Sequence, residues 1–235
     1  MQEMNLKFRN EYKHIINKAQ AVILKSRLKA ILKTDENADE NGEYLITSLY
    51  FDSHDNKAVG EKYDGVPFRE KYRIRFYNYD TSMIRLENKI KRISSSVKIS
   101  CELTKDEVLR ILYKDYDFLK DSQEPLRRKF HRELTCEGFV PKTITEYKRA
   151  PFICPLGNVR ITLDTDLRSP VGGLSDPEAI FDPRSPTVSV FPDERCVLEV
   201  KYDEYMPDYI HKLIQQIDGT RTSAMSKYTA CRKFL

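Results

Sequence analysis

The sequence predicts an α+β fold in which a closed antiparallel β-barrel of about eight strands forms a charged tunnel, with helices packed on the outside. Two observations lead to this prediction. Polar and apolar residues alternate in many short segments, which is the pattern of half-buried strands. The polar faces of these segments repeatedly carry Lys and Arg, which predicts a basic surface on the inner side of a closed sheet.

The chain has 235 residues, 40% hydrophobic and 32% charged, which suits one domain over residues 1–235. Its five cysteines are scattered and form no CxxC pair, so we expect reduced, mostly buried thiols rather than a disulfide framework or a structural zinc. No apolar run reaches the length of a membrane span, and the first residues lack the apolar core of a signal peptide. We therefore expect a cytoplasmic protein.

Alternation predicts strands along most of the chain, at residues 8–13, 44–51, 71–77, 84–91, 97–102, 143–149, 159–164 and 196–202. The central three strands form a meander. Residues 167–194 are rich in proline and lack periodicity, which predicts a long irregular connection at a tunnel mouth.

Helical spacing and cap signals predict the helices between these strands. Residues 18–33 form an amphipathic helix with the apolar face Val22, Ile23, Leu28, Ile31 and Leu32. Residues 104–107 read as a capping box that opens a helix to about residue 113, and a further helix covers residues 125–134. Near the end of the chain, Pro207 opens a helix carrying Ile210, Leu213, Ile214 and Ile217, and Ser226 caps a short helix that starts at Lys227.

The polar faces of the predicted strands point to a polyanion. The interior-facing set is Arg9, Glu11, Lys13, Arg73, Arg75, Glu87, Lys89, Lys98, Arg149, Arg160, Glu199 and Lys201. Cations two apart on a strand repel by roughly 0.6 kcal/mol in water and roughly 2.4 kcal/mol at an effective dielectric near 20. A solvated polar face is the alternative for any single strand. Because the pattern recurs in distant segments, a bound polyanion explains it better.

The residue types suggest that the polyanion is a chain of phosphates. The forked guanidinium group of Arg and the compact ammonium group of Lys both bind phosphate oxygens well. The interspersed carboxylates are hard ligands for a Mg²⁺ or Mn²⁺ ion that bridges phosphates. The sequence has no GxxxxGK[ST] loop, no GxSxG and no HExxH, and its aromatic residues mostly share faces with apolar residues. We therefore expect neither a Walker-type site nor a nucleic-acid partner.

Nine short segments, in order, resemble a known family. They are RNEYK, SLYFD, KYRIR, LENKIK, VKIS, YKR, RITLD, LEVK and SKY, and they span residues 8–228. Together they resemble the VTC (vacuolar transporter chaperone) polyphosphate polymerase domain of the triphosphate tunnel metalloenzyme superfamily. The resemblance implies that a metal-bound ATP donates its terminal phosphoryl group to a growing polyphosphate chain inside the tunnel.

The resemblance also implies roles for individual residues. The residues expected to bind the reacting phosphates are Lys13, Arg73, Arg75, Lys89, Arg149, Arg160 and Lys227. Further phosphate- or nucleotide-binding residues are Arg9, Lys91, Lys98, Tyr147, Lys201 and Ser226. Glu199 is the implied ligand of a Mn²⁺ or Mg²⁺ ion, and Glu11 and Glu87 are the other candidate ligands.

One departure from the superfamily bears on the activity. The classical tunnel triphosphatases open with Glu-x-Glu-x-Lys, and Arg9 stands here in the first Glu position. This removes a carboxylate from the metal site and favours the polymerase. Two alternatives remain: a tunnel triphosphatase acting on inorganic or nucleoside triphosphate, and a non-catalytic polyphosphate- or nucleotide-binding module.

Overall fold

The structure is a computed structural model that describes residues 8–93, 95–171, 176–216, 221–222 and 225–232. Its strands are β1 (Arg9–Ile16), β2 (Lys33–Thr34), β3 (Tyr44–Ser53), β4 (Phe68–Tyr77), β5 (Asp80–Arg92), β6 (Ser95–Leu103), β7 (Phe139–Cys154), β8 (Val159–Pro170), β9 (Thr187–Ser189), β10 (Cys196–Tyr202) and β11 (Arg221–Thr222). Its α-helices are α1 (Lys18–Ile31), α2 (Lys57–Tyr63), α3 (Lys105–Leu112), α4 (Asp117–Lys120), α5 (Pro125–Thr135), α6 (Asp208–Gln215) and α7 (Lys227–Cys231). Two short 3-10 helices lie at Leu156–Asn158 and Pro177–Phe181.

Eight of the strands close into a ring. The order of neighbours is β7, β3, β4, β5, β6, β1, β10 and β8, and β8 pairs back with β7. The pairings around this ring are antiparallel. Strands β2, β9 and β11 attach to β7, β8 and β1. The predicted closed antiparallel sheet with helices outside is therefore confirmed.

The two largest apolar cores lie outside the ring. One packs the outer faces of β3 to β6 against α3, α4 and α5, with Phe76, Leu86 and Phe130 among its fully buried side chains. The second packs β7, β8 and β10 against α1 and α6, with Leu28 and Leu198 at its centre. Since strand side chains alternate between faces, burying the apolar residues outside directs the charged residues into the ring.

The local signals identify most helices correctly. The capping box is formed: Thr104 accepts from the Glu107 amide at 3.1 Å and Glu107 accepts from the Thr104 amide at 2.8 Å. Helix α5 and strand β10 lie where the pattern places them. Helix α6 follows Pro207 and buries Ile210 and Ile214, whereas Ile217 lies outside the described residues. All five cysteines are free, and all but one are buried.

The predicted apolar face of α1 is wrong in part. The helix buries Ala21, Leu24 and Leu28. Val22 and Ile23 are exposed at 63% and 52%. Ile31 is exposed as well. The buried stripe follows a spacing of three and four residues, and a single helix face cannot also include the exposed positions.

The long connection is only partly irregular. Strand β8 extends to Pro170, and β9 pairs with its far end, so residues near both ends of this segment belong to the sheet. Ile180 and Val190 are buried, which ties the segment to the body of the protein. The prediction of an irregular connection throughout is wrong, because Pro170 is the last residue of β8 and lies beyond the last pair that β8 forms with β7. Helices α2 and α4 lacked a strong sequence signal and were not predicted.

Within the described ranges, none of the helices combines the length and the apolar character that crossing a lipid bilayer requires.

Candidate functional site

The charged residues inside the ring form three linked clusters, each centred on buried carboxylates. The first centres on Glu87 of β5, whose Oε2 lies 2.7 Å from Nε and 2.6 Å from Nη2 of Arg73. Lys98 of β6 donates to the other oxygen at 2.6 Å, and Arg75 lies 3.8 Å away. Burial raises the pKa of Glu87, but these cations outweigh it and hold the pKa well below its usual range.

The second cluster contains two carboxylates that share a lysine. Glu11 of β1 accepts from Lys89 at 2.6 and 2.8 Å and lies 3.1 Å from Lys13. Glu199 of β10 lies 2.5 Å from Lys201 and 3.8 Å from Lys13. The strand register explains this arrangement. Lys13 of β1 lies directly opposite Glu199 of β10, and Glu11 lies directly opposite Lys201. Although burial opposes ionisation, Lys13 and Lys89 lower the pKa of Glu11 to about 2.

The third cluster centres on Asp164 of β8. Arg149 of β7 holds its two oxygens at 2.6 and 2.8 Å, and Lys227 of α7 donates at 2.5 Å. Arg149 also lies 3.8 Å from Glu199, which links the second and third clusters. Tyr147 lies beneath these cations, with the Lys227 ammonium 4.5 Å from its ring centre. Burial raises the pKa of Tyr147, but Arg75, Arg149 and Lys227 outweigh it and lower the pKa below its usual value.

Ser226 and Lys227 enter the ring because helix α7 is anchored by the residue after them. Tyr228 is buried, stacks on Tyr50 of β3 at 5.1 Å and donates to Asp52 at 2.7 Å. Ser226 caps α7 as predicted, accepting from the Thr229 amide at 3.4 Å. The segments SLYFD and SKY therefore meet in space, which the sequence order did not show.

Three predicted site residues lie away from the centre of the ring. Arg160 donates to Asp35 at 2.7 Å and to the Tyr44 hydroxyl at 3.0 Å. Arg9 pairs with Asp203 at 2.9 Å and donates to the Asn158 carbonyl, so it is held at the edge of the sheet. Lys91 lies opposite Arg69 near the ends of β5 and β4.

The placement of the carboxylates decides which of them could hold one metal ion. Glu11 and Glu199 share Lys13, whereas Glu87 belongs to the separate Arg73 cluster. Among the residues that the structure describes, no three His, Cys, Asp or Glu side chains converge. Two carboxylates with phosphate oxygens and water suit Mg²⁺ or Mn²⁺, which rarely need an all-protein cage. The pair Glu11 and Glu199 therefore fits such an ion, and Glu87 would not contribute to the same site.

The charges that face the ring interior do not balance. The inward-facing carboxylates are Glu11, Asp52, Glu87, Asp164 and Glu199, and the inward-facing cations are Lys13, Arg73, Arg75, Lys89, Lys98, Arg149, Lys201 and Lys227. The cations outnumber the carboxylates. Burial, followed by the nearby Lys13, lowers the pKa of Lys89 to about 7, although Glu11 pairs with the same ammonium group.

A cavity of about 290 Å³ lies outside the ring, between α2, α5 and β4. It is lined by Glu70, Glu133, Lys129 and Arg132 among others, and Lys129 pairs with Glu70 at 2.6 Å. Since cations and carboxylates balance there, this cavity lacks the excess positive charge of the ring interior.

Two solved structures share this fold over most of the chain. One is a candidate adenylyl cyclase from Hippeastrum with a dominant triphosphatase activity, at 16% identity and a TM-score of 0.56, covering 96% of this chain and 95% of that chain. The other is a candidate adenylate cyclase from Bacillus halodurans, at 15% identity and a TM-score of 0.54, covering 91% of this chain and 89% of that chain. These likenesses show that the chain has the same fold as these two proteins.

The family follows from the sequence match. The VTC domain model matches residues 8–235, and the chain belongs to the VTC domain family. No curated protein matches the chain at a significant level. The family match confirms the VTC resemblance seen in the short motifs.

Sequence reasoning missed residues that hold the site together. Asp164 was on the predicted polar face of β8, but it had been given no role, although it holds both Arg149 and Lys227. Tyr50 and Asp52 in SLYFD and Tyr228 in SKY had no predicted role, although they hold helix α7 in place. Alternation could have pointed to Asp164, whereas the contact between Asp52 and Tyr228 spans 176 positions and has no local signal.

Proposed function

We propose that this protein is a metal-dependent polyphosphate polymerase that transfers the terminal phosphoryl group of ATP to a growing polyphosphate chain inside the ring. The observation that carries the proposal is the excess of inward-facing cations around the carboxylate pair Glu11 and Glu199. Membership of the VTC domain family supports the polymerase activity.

Phosphate binding exchanges one set of partners for another. Lys13 and Lys201 are held by Glu11 and Glu199. Phosphate oxygens accept from the same ammonium groups, and charge-assisted contacts of this kind are strong. Because the cations are already positioned by their carboxylates, binding costs little reorganisation.

The residues around Tyr147 are placed to stabilise the transferring group. Arg75 donates to the Tyr147 hydroxyl at 3.2 Å, and Arg149 and Lys227 lie against the same ring. Phosphoryl transfer depends mainly on positioning and on neutralising the charge of the equatorial oxygens. Glu11 and Glu199 would hold the divalent ion, which supplies further charge neutralisation when bound.

A closed ring suits a polymerase because donor and acceptor oxygens must lie in line. Donor and acceptor chains entering from opposite ends of one tunnel would meet this requirement. Arg9 also supports the polymerase reading, because it is tied to Asp203 and Asn158 at the sheet edge where a triphosphatase would carry a carboxylate.

The second candidate is a tunnel triphosphatase, in which water replaces the acceptor chain. It is favoured by the likeness in fold to the Hippeastrum protein, whose dominant activity is triphosphatase. The site residues serve both reactions, so the acceptor decides between them.

One incubation separates the candidates. Purified protein with ATP and Mn²⁺ is assayed on a gel for polyphosphate and in parallel for free phosphate. Polymer is the expected product. Free phosphate without polymer would support the triphosphatase, and tight triphosphate binding with neither product would leave a binding module.

A further inference from the structure

One end of the ring carries four cations, Lys62, Arg69, Lys71 and Lys91, which we call the basic rim. Arg69 lies near the start of β4 and Lys91 near the end of β5, directly opposite each other in the register. Lys62 comes from the last turn of α2. All four are half-buried.

The basic rim differs from the ring interior in its pairing. In the described part of the chain, no carboxylate lies within ion-pair distance of these four side chains, whereas Lys13, Arg73, Lys89 and Arg149 each have one. Like charges opposite each other on neighbouring strands are destabilising. Burial and the nearby Arg69 and Lys91 lower the pKa of Lys62, as expected for uncompensated cations.

The basic rim is continuous with the proposed site. Lys71 donates to the Ser226 hydroxyl at 3.2 Å, and its ammonium lies 5.3 Å from the centre of the Tyr228 ring. Arg69 is held in place by the Glu61 and Lys62 carbonyls at 3.1 and 3.4 Å. An anion leaving the interior past Ser226 would therefore meet Lys71 first and the other rim cations next.

We propose that the basic rim is a binding site for the part of a polyphosphate chain that extends beyond the reacting phosphates. It gives the protein a preference for chains longer than triphosphate. The proposal rests on the proposed function in naming polyphosphate as the polyanion. A thin, flexible chain fits the half-buried position of these cations better than a flat anionic membrane, which needs fully exposed ones.

The test uses direct binding, without turnover. Tripolyphosphate and long-chain polyphosphate are titrated into the full chain and into Lys62→Ala/Arg69→Gln, in which Gln keeps a donor for the α2 carbonyls. The matched control is Lys212→Ala/Arg27→Gln, which removes the same charge from the outer helices α6 and α1. We expect the rim variant to bind long chains about tenfold more weakly, with a shallower salt dependence, because two phosphate contacts are lost.

Tripolyphosphate affinity should change by less than about twofold in the rim variant, and the control should match the parent for both ligands. Equal weakening of both ligands would overturn the proposal, because the rim would then belong to the triphosphate site. Unchanged binding of both would overturn it as well. Loss of binding to anionic lipid vesicles with polyphosphate binding intact would show a membrane contact instead. If the parent binds neither phosphate ligand, the proposed function itself fails.

Discussion

Individual carboxylates have different partners, which separates their roles. Glu87 is surrounded by Arg73, Arg75 and Lys98, and Asp164 by Arg149 and Lys227. Removing one member of a buried ion pair leaves the other charge without a partner. We therefore expect Glu87 and Asp164 to hold their neighbouring cations in place. Glu11 and Glu199 share Lys13 and are the pair able to exchange a lysine for a metal ion.

The two arginines of β4 should respond differently to removal. Arg73→Ala leaves Oε2 of the buried Glu87 without the guanidinium that contacts it through two nitrogens, and it should lower the free energy of unfolding by about 3 kcal/mol. Arg75 lies 3.8 Å from Glu87, so Arg75→Ala should cost less stability but still weaken triphosphate binding about 10- to 100-fold. Denaturant unfolding and ligand titration measure the two effects. Equal destabilisation by both variants would contradict the assignment.

Glu199→Gln tests the metal assignment. We expect it to abolish turnover and Mn²⁺ binding in the presence of triphosphate, because a neutral amide is a poor ligand for a hard cation. Metal-free triphosphate binding should persist or tighten, since a negative charge has left the ring. Electron paramagnetic resonance of Mn²⁺ and calorimetric titration measure these quantities. A lower melting temperature with unchanged metal dependence would show that Glu199 is only an ion-pair partner.

Lys89 should make phosphate binding depend on pH. Its pKa of about 7 lies below the ordinary 10.5, so the unfolded chain binds more protons between these values and the contribution of Lys89 to stability rises with pH there. Phosphate binding needs the charged form. Triphosphate affinity should therefore fall as pH rises above 7, by up to about tenfold per pH unit.

Lys89→Arg is the matched variant for this prediction, because arginine stays protonated throughout. The triphosphate affinity of this variant should depend less on pH than that of the parent protein. The difference in slope should be up to one proton taken up per triphosphate bound. The ionisation of triphosphate is the same in both experiments. The difference between the two curves therefore reports the ionisation of Lys89 alone. Parallel curves would show that Lys89 does not titrate in this range.

At the scale of elements, the alternation of side chains along the β-strands determines which residues face the ring interior. Strands β1, β4, β5, β8 and β10 place most of their charged residues inward and most of their apolar residues outward. Glu70 of β4 faces outward instead and pairs with Lys129 of α5. Helix α7 is an exception. It is five residues long, and its position depends on the contacts that Tyr228 makes with β3.

Tyr228→Phe tests how α7 is positioned. Removing the hydroxyl leaves buried Asp52 short of a partner and should lower the free energy of unfolding by about 1–2 kcal/mol. The displacement of Ser226 and Lys227 should also weaken triphosphate binding several-fold. Tyr113→Phe, at an exposed tyrosine, is the control for both measurements. Unchanged binding with reduced stability would show that the anchor does not position the site.

At the scale of the whole molecule, a polyanion should act as a structural partner. Crowded cations destabilise the empty ring, and a bound triphosphate relieves their repulsion. At a ligand concentration 100 times Kd, binding adds about 2.7 kcal/mol to the free energy of unfolding. For a chain of this size the melting temperature should then rise by about 5–10 °C.

Differential scanning calorimetry with and without tripolyphosphate measures this shift. Sodium chloride at the same ionic strength is the control for general screening. If both additions raise the melting temperature equally, the ring has no specific site for the anion.

Local patterns in the sequence determined the strands, their inward and outward faces, most helices and the basic character of the site. These features depend on residues close together in the chain, such as Arg73 and Arg75 on one face or Thr104 and Glu107 in one cap. The VTC resemblance came from the same short segments.

Only the tertiary structure decided which charged residues meet. Ring closure brings Lys227 to Asp164 and Tyr228 to Asp52, and it separates Glu87 from Glu11 and Glu199. The buried face of α1 and the pairing of β9 were also decided there. The physical reason is that period and propensity report the neighbours of a residue along the chain, whereas strand register around a closed ring sets its neighbours in space.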